Sequence, residues 1–164
     1  MSTAVLSIGS NVGDRLSYLQ VAVDAMRPWL VATSPVYETE PWGPVSQDDY
    51  LNAVLITTDP QASARHWLDR AHAAEAAAQR ARTIRWGPRT LDVDLIVVDT
   101  MATSDDPALT LPHPRAARRA FVLVPWLDVD GEARLPEGPV RDVLARLDAA
   151  EVAGVRPRPD LVLS

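Results

Sequence analysis

The chain has 164 residues, 47% of them hydrophobic, so its length suits one domain (1–164) that can bury a core without staples. It contains no cysteine and no lysine, since all 16 basic residues are arginine; this excludes disulfides, thiolate metal sites, thiol nucleophiles, a P-loop lysine and a Schiff base. A net charge of −6 and a pI of about 5.0 argue against a general nucleic-acid surface, and no apolar run approaches a membrane span or a leader peptide, so the expectation is a cytoplasmic protein with neither partner.

In chain order, Thr3–Ile8 reads as a first strand, followed by turn chemistry over Gly9–Asp14. Asp14 caps a helix carrying Leu16, Leu19, Val23 and Met26 at helical spacing, which Pro28 ends. Val31–Glu38 reads as a second strand, broken into a loop from Pro41 to Asp49. Leu51–Thr58 is a strong β run. Asp59-Pro60 then predicts a helix start, with an apolar stripe of Trp67, Leu68, Ala71, Ala74 and Ala78 running to Arg80. Gly87-Pro88 interrupts, and Leu91–Val98 is a fourth strand. Residues 102–120 read as loop, Phe121–Leu127 as a short helix or apolar packing segment, and Arg141–Leu147 as a surface helix. The βαββαβ order predicts an α+β, ferredoxin-like sandwich with C-terminal additions.

Charge is unevenly spread. Residues 76–91 hold Arg80, Arg82, Arg85 and Arg89 and no acid; residues 107–127 hold Arg115, Arg118 and Arg119 and no acid. The rest of the chain carries nine arginines against all 22 acids. A basic site inside an acidic protein suits a small polyanion. The three histidines, His66, His72 and His113, are dispersed and form no HExxH pair.

On a strand, Asp92 and Asp94 share one face, with Leu91, Val93 and Leu95 on the other. Two adjacent carboxylates repel without a cation between them, and hard oxygens with open coordination suit Mg²⁺ bound together with substrate phosphates. The same spacing also fits a half-exposed strand with a polar face; the arginines upstream favour phosphoryl-transfer chemistry. Tyr50 and Asn52 likewise share a face, where an aromatic plane beside a carboxamide can stack on a flat heterocycle and read its edge. His113 is fixed between Pro112 and Pro114, and Phe121 is the sole phenylalanine.

In combination these segments resemble the 6-hydroxymethyl-7,8-dihydropterin pyrophosphokinases. The resemblance runs through Gly9-Ser10-Asn11, Thr39-Glu40-Pro41-Trp42-Gly43-Pro44, Tyr50-Leu51-Asn52-Ala53, Glu75 with Arg80 and Arg82, Trp86-Gly87-Pro88-Arg89-Thr90-Leu91-Asp92-Val93-Asp94-Leu95, Leu109-Thr110-Leu111-Pro112-His113-Pro114, and Arg119-Ala120-Phe121. It implies pyrophosphate transfer from ATP to a pterin hydroxymethyl group, with AMP released, by a monomer. It assigns two Mg²⁺ ions to Asp92 and Asp94, and the ring clamp to Tyr50 and Phe121. Asn52 and the loop Thr39, Glu40 and Trp42 would contact the pterin. Arg89, Thr110, His113, Arg119 and His72 fall at nucleotide positions, and Glu75 and Trp86 at the ATP pocket. Arg80 and Arg82 match arginines of a mobile loop, and residues 10–14, 40–49 and 80–88 are candidate lids. The competing readings are another Mg²⁺-dependent nucleotidyl or phosphoryl transferase and a ferredoxin-like sensing module; a sensor has no need for paired acids beside four arginines.

Overall fold

The computed structural model describes residues 2–41, 47–80, 90–99 and 103–164. The elements are β1 (Ser2–Ser10), α1 (Arg15–Met26), β2 (Leu30–Thr33), β3 (Tyr37–Thr39), β4 (Tyr50–Asp59), α2 (Ala64–Arg80), β5 (Asp92–Val98), β6 (Ser104–Asp106), β7 (Leu109–Leu111), α3 (Ala120–Val129), β8 (Arg134–Leu135), β9 (Gly138–Pro139), α4 (Val140–Ala145), α5 (Ala149–Ala153) and β10 (Arg156–Pro157). The main sheet runs β10-β3-β4-β1-β5, with β2 also on β4, and each pairing is antiparallel. With β2 and β3 counted as the second strand, the four strands take the order expected of a ferredoxin-like α+β sandwich. No helix among the described residues is long and apolar enough to cross a membrane.

Alternation along the strands divides the core in two. Ala4, Leu6, Ile8, Leu51, Ala53, Leu55, Val93 and Leu95 face α1 and α2, whose Leu19, Val23, Met26, Trp67, Ala71 and Ala74 close over them. Val5, Val54, Ile96 and Val97 face the other way, under Val122, Leu123 and Trp126 of α3.

Several boundaries depart from the sequence pattern for identifiable reasons. The expected strand over 31–38 is two strands, β2 and β3. Pro35 has no N–H to give the ladder, and Ser34 bridges the gap, donating from N to the Val54 carbonyl at 2.9 Å and accepting at Oγ from Val54 N at 2.8 Å. Asp14 caps α1, as expected, accepting from Ser17 N at 3.2 Å. Asp59 does not cap α2: it ends β4 and holds a turn through Gln61 N at 3.0 Å, and Ser63 Oγ accepts from His66 N at 3.3 Å at the true helix start. Residues 103–119 are not plain loop but a β6–β7 hairpin and a 3₁₀ turn over Ala116–Arg118. Phe121–Leu127 lies within a full helix, α3. The tail contributes β10 to the main sheet, which its two prolines had concealed.

Candidate active site

Directly opposed residues of antiparallel strands share a face, so register decides which side chains meet. Ser7 pairs with Val54 of β4 and Asp94 of β5, and Gly9 pairs with Asn52 and Asp92. The sheet face that α3 covers at one end therefore turns polar at the other, where α3 begins. A cleft of about 570 Å³ opens there, floored by Ser7, Gly9, Tyr50, Asn52, Asp92 and Asp94 and walled by Thr39, Glu40, Pro41, Gln47, Arg115, Arg118, Arg119 and Phe121.

One end of the cleft is built from β3 and β4. Asn52 is buried, and its Nδ2 donates to the buried Thr39 Oγ1 at 2.7 Å. Gly9 is in the strand, not in the turn expected from the sequence, and its function there is close approach: a Cβ at this position would stand 3.0 Å from Asn52 Oδ1. The turn's conformational demand falls on Gly13, at φ +66°. Tyr50 lies half-buried on the same strand; burial, and then the charge of Asp92, push its phenol pKa up. The neutral ring is therefore the form presented to the cleft.

The other end is ionic. Asp92 and Asp94 occupy alternate positions on β5 and are both half-buried, while Val93 and Leu95 are buried behind them. Glu75 of α2 supports this strand from its open side, its Oε2 accepting from Val93 N at 3.0 Å, between the two aspartates. Arg119 stands at the foot of α3, with its Nη1 3.6 Å from Asp94 Oδ2 and its guanidinium 5.4 Å from the Phe121 ring centre. Arg115 and Arg118 share the wall. His113 is tied in beside them. Its N donates to the carbonyl of Ile96 at 2.8 Å, and Ile96 is the extra residue of a β-bulge, because Leu95 pairs with Leu6 but Val97 with Val5. Its Nδ1 accepts from Arg115 N at 3.1 Å. Burial holds its pKa below the ordinary histidine value, against the pull of Asp94.

The structure thus brings together in one cleft Thr39, Glu40, Tyr50, Asn52, Asp92, Asp94, Arg119 and Phe121. Glu75 and His113 support it from outside the described lining. His72 is exposed on α2, across the sheet, and Thr110 is exposed on β7 with its Oγ1 bonded to the Asp106 carbonyl at 3.2 Å. Trp42, Arg82, Trp86, Arg89 and the side chain of Arg80 lie outside the described residues. Six described lining residues were not singled out as site residues in the sequence: Ser7, Gly9, Pro41, Gln47, Arg115 and Arg118. Arg115 and Arg118 were signalled by the acid-free stretch 107–127. Ser7 is a hydroxyl in an otherwise apolar run, a signal too common to single out.

The carboxylate pair also fits a divalent cation. Among the described residues no group of three or more His, Asp or Glu is arranged to hold a metal by itself. Two hard-oxygen ligands on one face leave most of an octahedral shell open, which suits Mg²⁺ completed by water and substrate phosphates.

Comparison with known proteins gives a consistent assignment. A profile described as 7,8-dihydro-6-hydroxymethylpterin-pyrophosphokinase (HPPK) matches residues 5–131. The 2-amino-4-hydroxy-6-hydroxymethyldihydropteridine pyrophosphokinase of Mycobacterium tuberculosis is 49% identical over 168 residues, covering 95% of this chain and 89% of that protein. The protein of the same name from Methylorubrum extorquens is 38% identical over 159 residues, covering 94% and 99%. A crystal structure of Plasmodium falciparum HPPK-DHPS, wild type with pterin and p-hydroxybenzoate, superposes with a TM-score of 0.64 at 13% identity; the match covers 88% of this chain and 43% of that one, and at this identity speaks for the fold alone.

Proposed function

The chain belongs to the 7,8-dihydro-6-hydroxymethylpterin-pyrophosphokinase family and is a pyrophosphokinase of folate biosynthesis, and on that premise we propose that the cleft over β1, β4 and β5 is where pyrophosphate passes from ATP to the hydroxymethyl group of 6-hydroxymethyl-7,8-dihydropterin. The observation that carries this reading is the division of one cleft into an aromatic and carboxamide end and an end where two same-face carboxylates meet three arginines.

The chemistry follows from that division. Tyr50 and Phe121, both lining the cleft, would stack on a flat ring, and Asn52, with one amide hydrogen committed to Thr39, keeps a donor and an acceptor for the ring's polar edge. This fixes the hydroxymethyl group toward β5. Its oxygen attacks the β-phosphorus of ATP, forming a new P–O bond. The bond from that phosphorus to the bridging oxygen breaks, the electron pair leaves with AMP, and the hydroxyl proton is lost to solvent. No covalent enzyme intermediate is required, so positioning and charge neutralisation supply most of the rate. Arg119, Arg115 and Arg118 can neutralise phosphate oxygens as charge shifts toward the leaving group. Asp92 and Asp94 would hold Mg²⁺, two ions in our reading, which supplies Lewis-acid neutralisation of the phosphates and lowers the pKa of the attacking hydroxyl. Mixing the protein with ATP, Mg²⁺ and 6-hydroxymethyl-7,8-dihydropterin should yield AMP and the pterin diphosphate in equal amounts. AMP formation indifferent to the pterin, or no reaction at all, would overturn the reading.

A further inference from the structure

Among the described residues, a densely bonded ionic cluster lies outside the cleft, against the back of its ring end. Glu38 takes Arg15 Nη1 on Oε2 at 2.6 Å and Arg158 Nη1 on Oε1 at 3.0 Å. Both hydrogen bonds hold the Glu38 carboxyl below the ordinary carboxylate range, with Arg15 the larger cause. Arg15 also reaches the Asp49 carbonyl at 2.9 Å, and Arg156 Nη2 pairs with Asp49 Oδ2 at 2.9 Å. Arg15 comes from the start of α1, whereas Arg156 and Arg158 come from the C-terminal strand β10 and the residue after it. The acids they grip sit one residue ahead of two cleft residues: Glu38 precedes Thr39 and Asp49 precedes Tyr50. Thr39 and Tyr50 are directly opposed in the β3–β4 ladder.

The outer edge of this corner has little backbone pairing. β3 has three residues, and β10 covers it through the pairs Arg156–Glu38 and Pro157–Tyr37, with a further bond from Arg158 N to the Val36 carbonyl at 2.9 Å. Pro157 gives no N–H to the ladder. The arginines therefore add to the β3–β4 and β1–β4 ladders in setting where β3 and the start of β4 sit. Displacing either strand by a fraction of an ångström changes the spacing between Tyr50, Asn52 and Thr39, and ring stacking with edge reading tolerates little of that.

We propose that Arg156 and Arg158 are positioning residues for the ring end of the cleft, through Asp49 and Glu38. This rests on the assignment of that end to the pterin ring. The Asp49–Arg156 pair is part-exposed, so its removal alone has a modest effect, while reversing one charge adds repulsion. Arg156→Asp and Asp49→Arg should each raise the KM for the pterin about three- to tenfold, with kcat and the KM for ATP held within about twofold. The doubly reversed protein, Arg156→Asp with Asp49→Arg, should return to within about twofold of the parent. Arg158→Ala should raise the pterin KM in the same direction, and Arg158→Lys should recover part of the loss. Asn52→Ala, measured alongside, tests the ring assignment separately: it should weaken pterin binding in every background. If Asn52→Ala does so but the single reversals leave the pterin KM unchanged, or the double reversal is no better than either, the positioning role is wrong and the ring assignment stands. If Asn52→Ala leaves pterin binding intact, both are wrong. Lowered melting temperatures with kcat and both KM values unchanged would mark the cluster as structural only, and would also overturn the proposal.

Discussion

At one end of the cleft, Asn52 is buried and bonded to Thr39 at 2.7 Å, against a glycine that leaves no room to spare. At the other, Arg119 stands 3.6 Å from Asp94, with both side chains part-exposed. The first end is assembled by folding. Asn52 is held in place by its bond to Thr39 with a donor and an acceptor left for a ring, and arginines from both ends of the chain brace the strands that carry it. The second end collects like charges, acid beside acid on β5 and arginine beside arginine before α3, an arrangement that a charged ligand would complete. A ring of fixed shape can be met by a rigid surface, whereas a polyphosphate whose charge moves during reaction needs groups whose interactions strengthen as it does.

The largest expected effect is at the ionic end. Asp92→Ala or Asp94→Ala should lower turnover by at least ~10³, the scale of losing a main electrostatic element, with the melting temperature little changed. Near-normal turnover at saturating Mg²⁺ would remove the contrast between the two ends. Next, Arg119→Ala should lower kcat by ~10² while pterin affinity stays constant, read by steady-state kinetics beside a pterin fluorescence titration. At the ring end, Phe121→Ala should weaken pterin binding by about 1–3 kcal/mol, the range for stacking on an aromatic, and leave ATP affinity unchanged. Calorimetry showing equal losses for both ligands would mean the two ends are not separable. Gly9→Ala should follow, because its Cβ must displace the Asn52 amide; pterin affinity falls about tenfold or less, while Asp92 in the next strand keeps its place.

The smallest effect concerns pH. The arginines lower the Glu38 pKa in the folded protein, so the stability this adds is present above the ordinary carboxylate pKa and is lost as pH falls toward the depressed folded value. Glu38→Gln should therefore melt a few degrees below the parent at pH 7, and the gap should close as the pH is lowered below about 4. A gap that stays constant with pH would mean that the Glu38 charge contributes nothing.

Legibility in the sequence followed the same division. The ionic end was readable because its signals are local: two aspartates two apart on an apolar strand, and runs of arginine without acid. The four principal strands and the two long helices were readable from periodicity. At the ring end only Tyr50 and Asn52 gave a local signal, from their same-face spacing; the rest is made of contacts distant in sequence. Gly9 resembles turn chemistry until the β1–β4 register sets it against Asn52, 43 positions later. Arg156 and Arg158 fall in a tail with two prolines, and nothing local links them to acids more than 100 residues earlier. The misplaced start of α2 has another cause: Asp59-Pro60 and Ser63 both carry start chemistry, and the long β4 ladder claims the first.

The proposed reaction in this cleft requires attack on the β-phosphorus of ATP rather than the γ-phosphorus. Following ATP labelled at the β-phosphorus tests it most directly. The label should appear in the pterin product, with the nucleotide product, AMP, unlabelled. Label retained in ADP, with a pterin monophosphate as the other product, would contradict it.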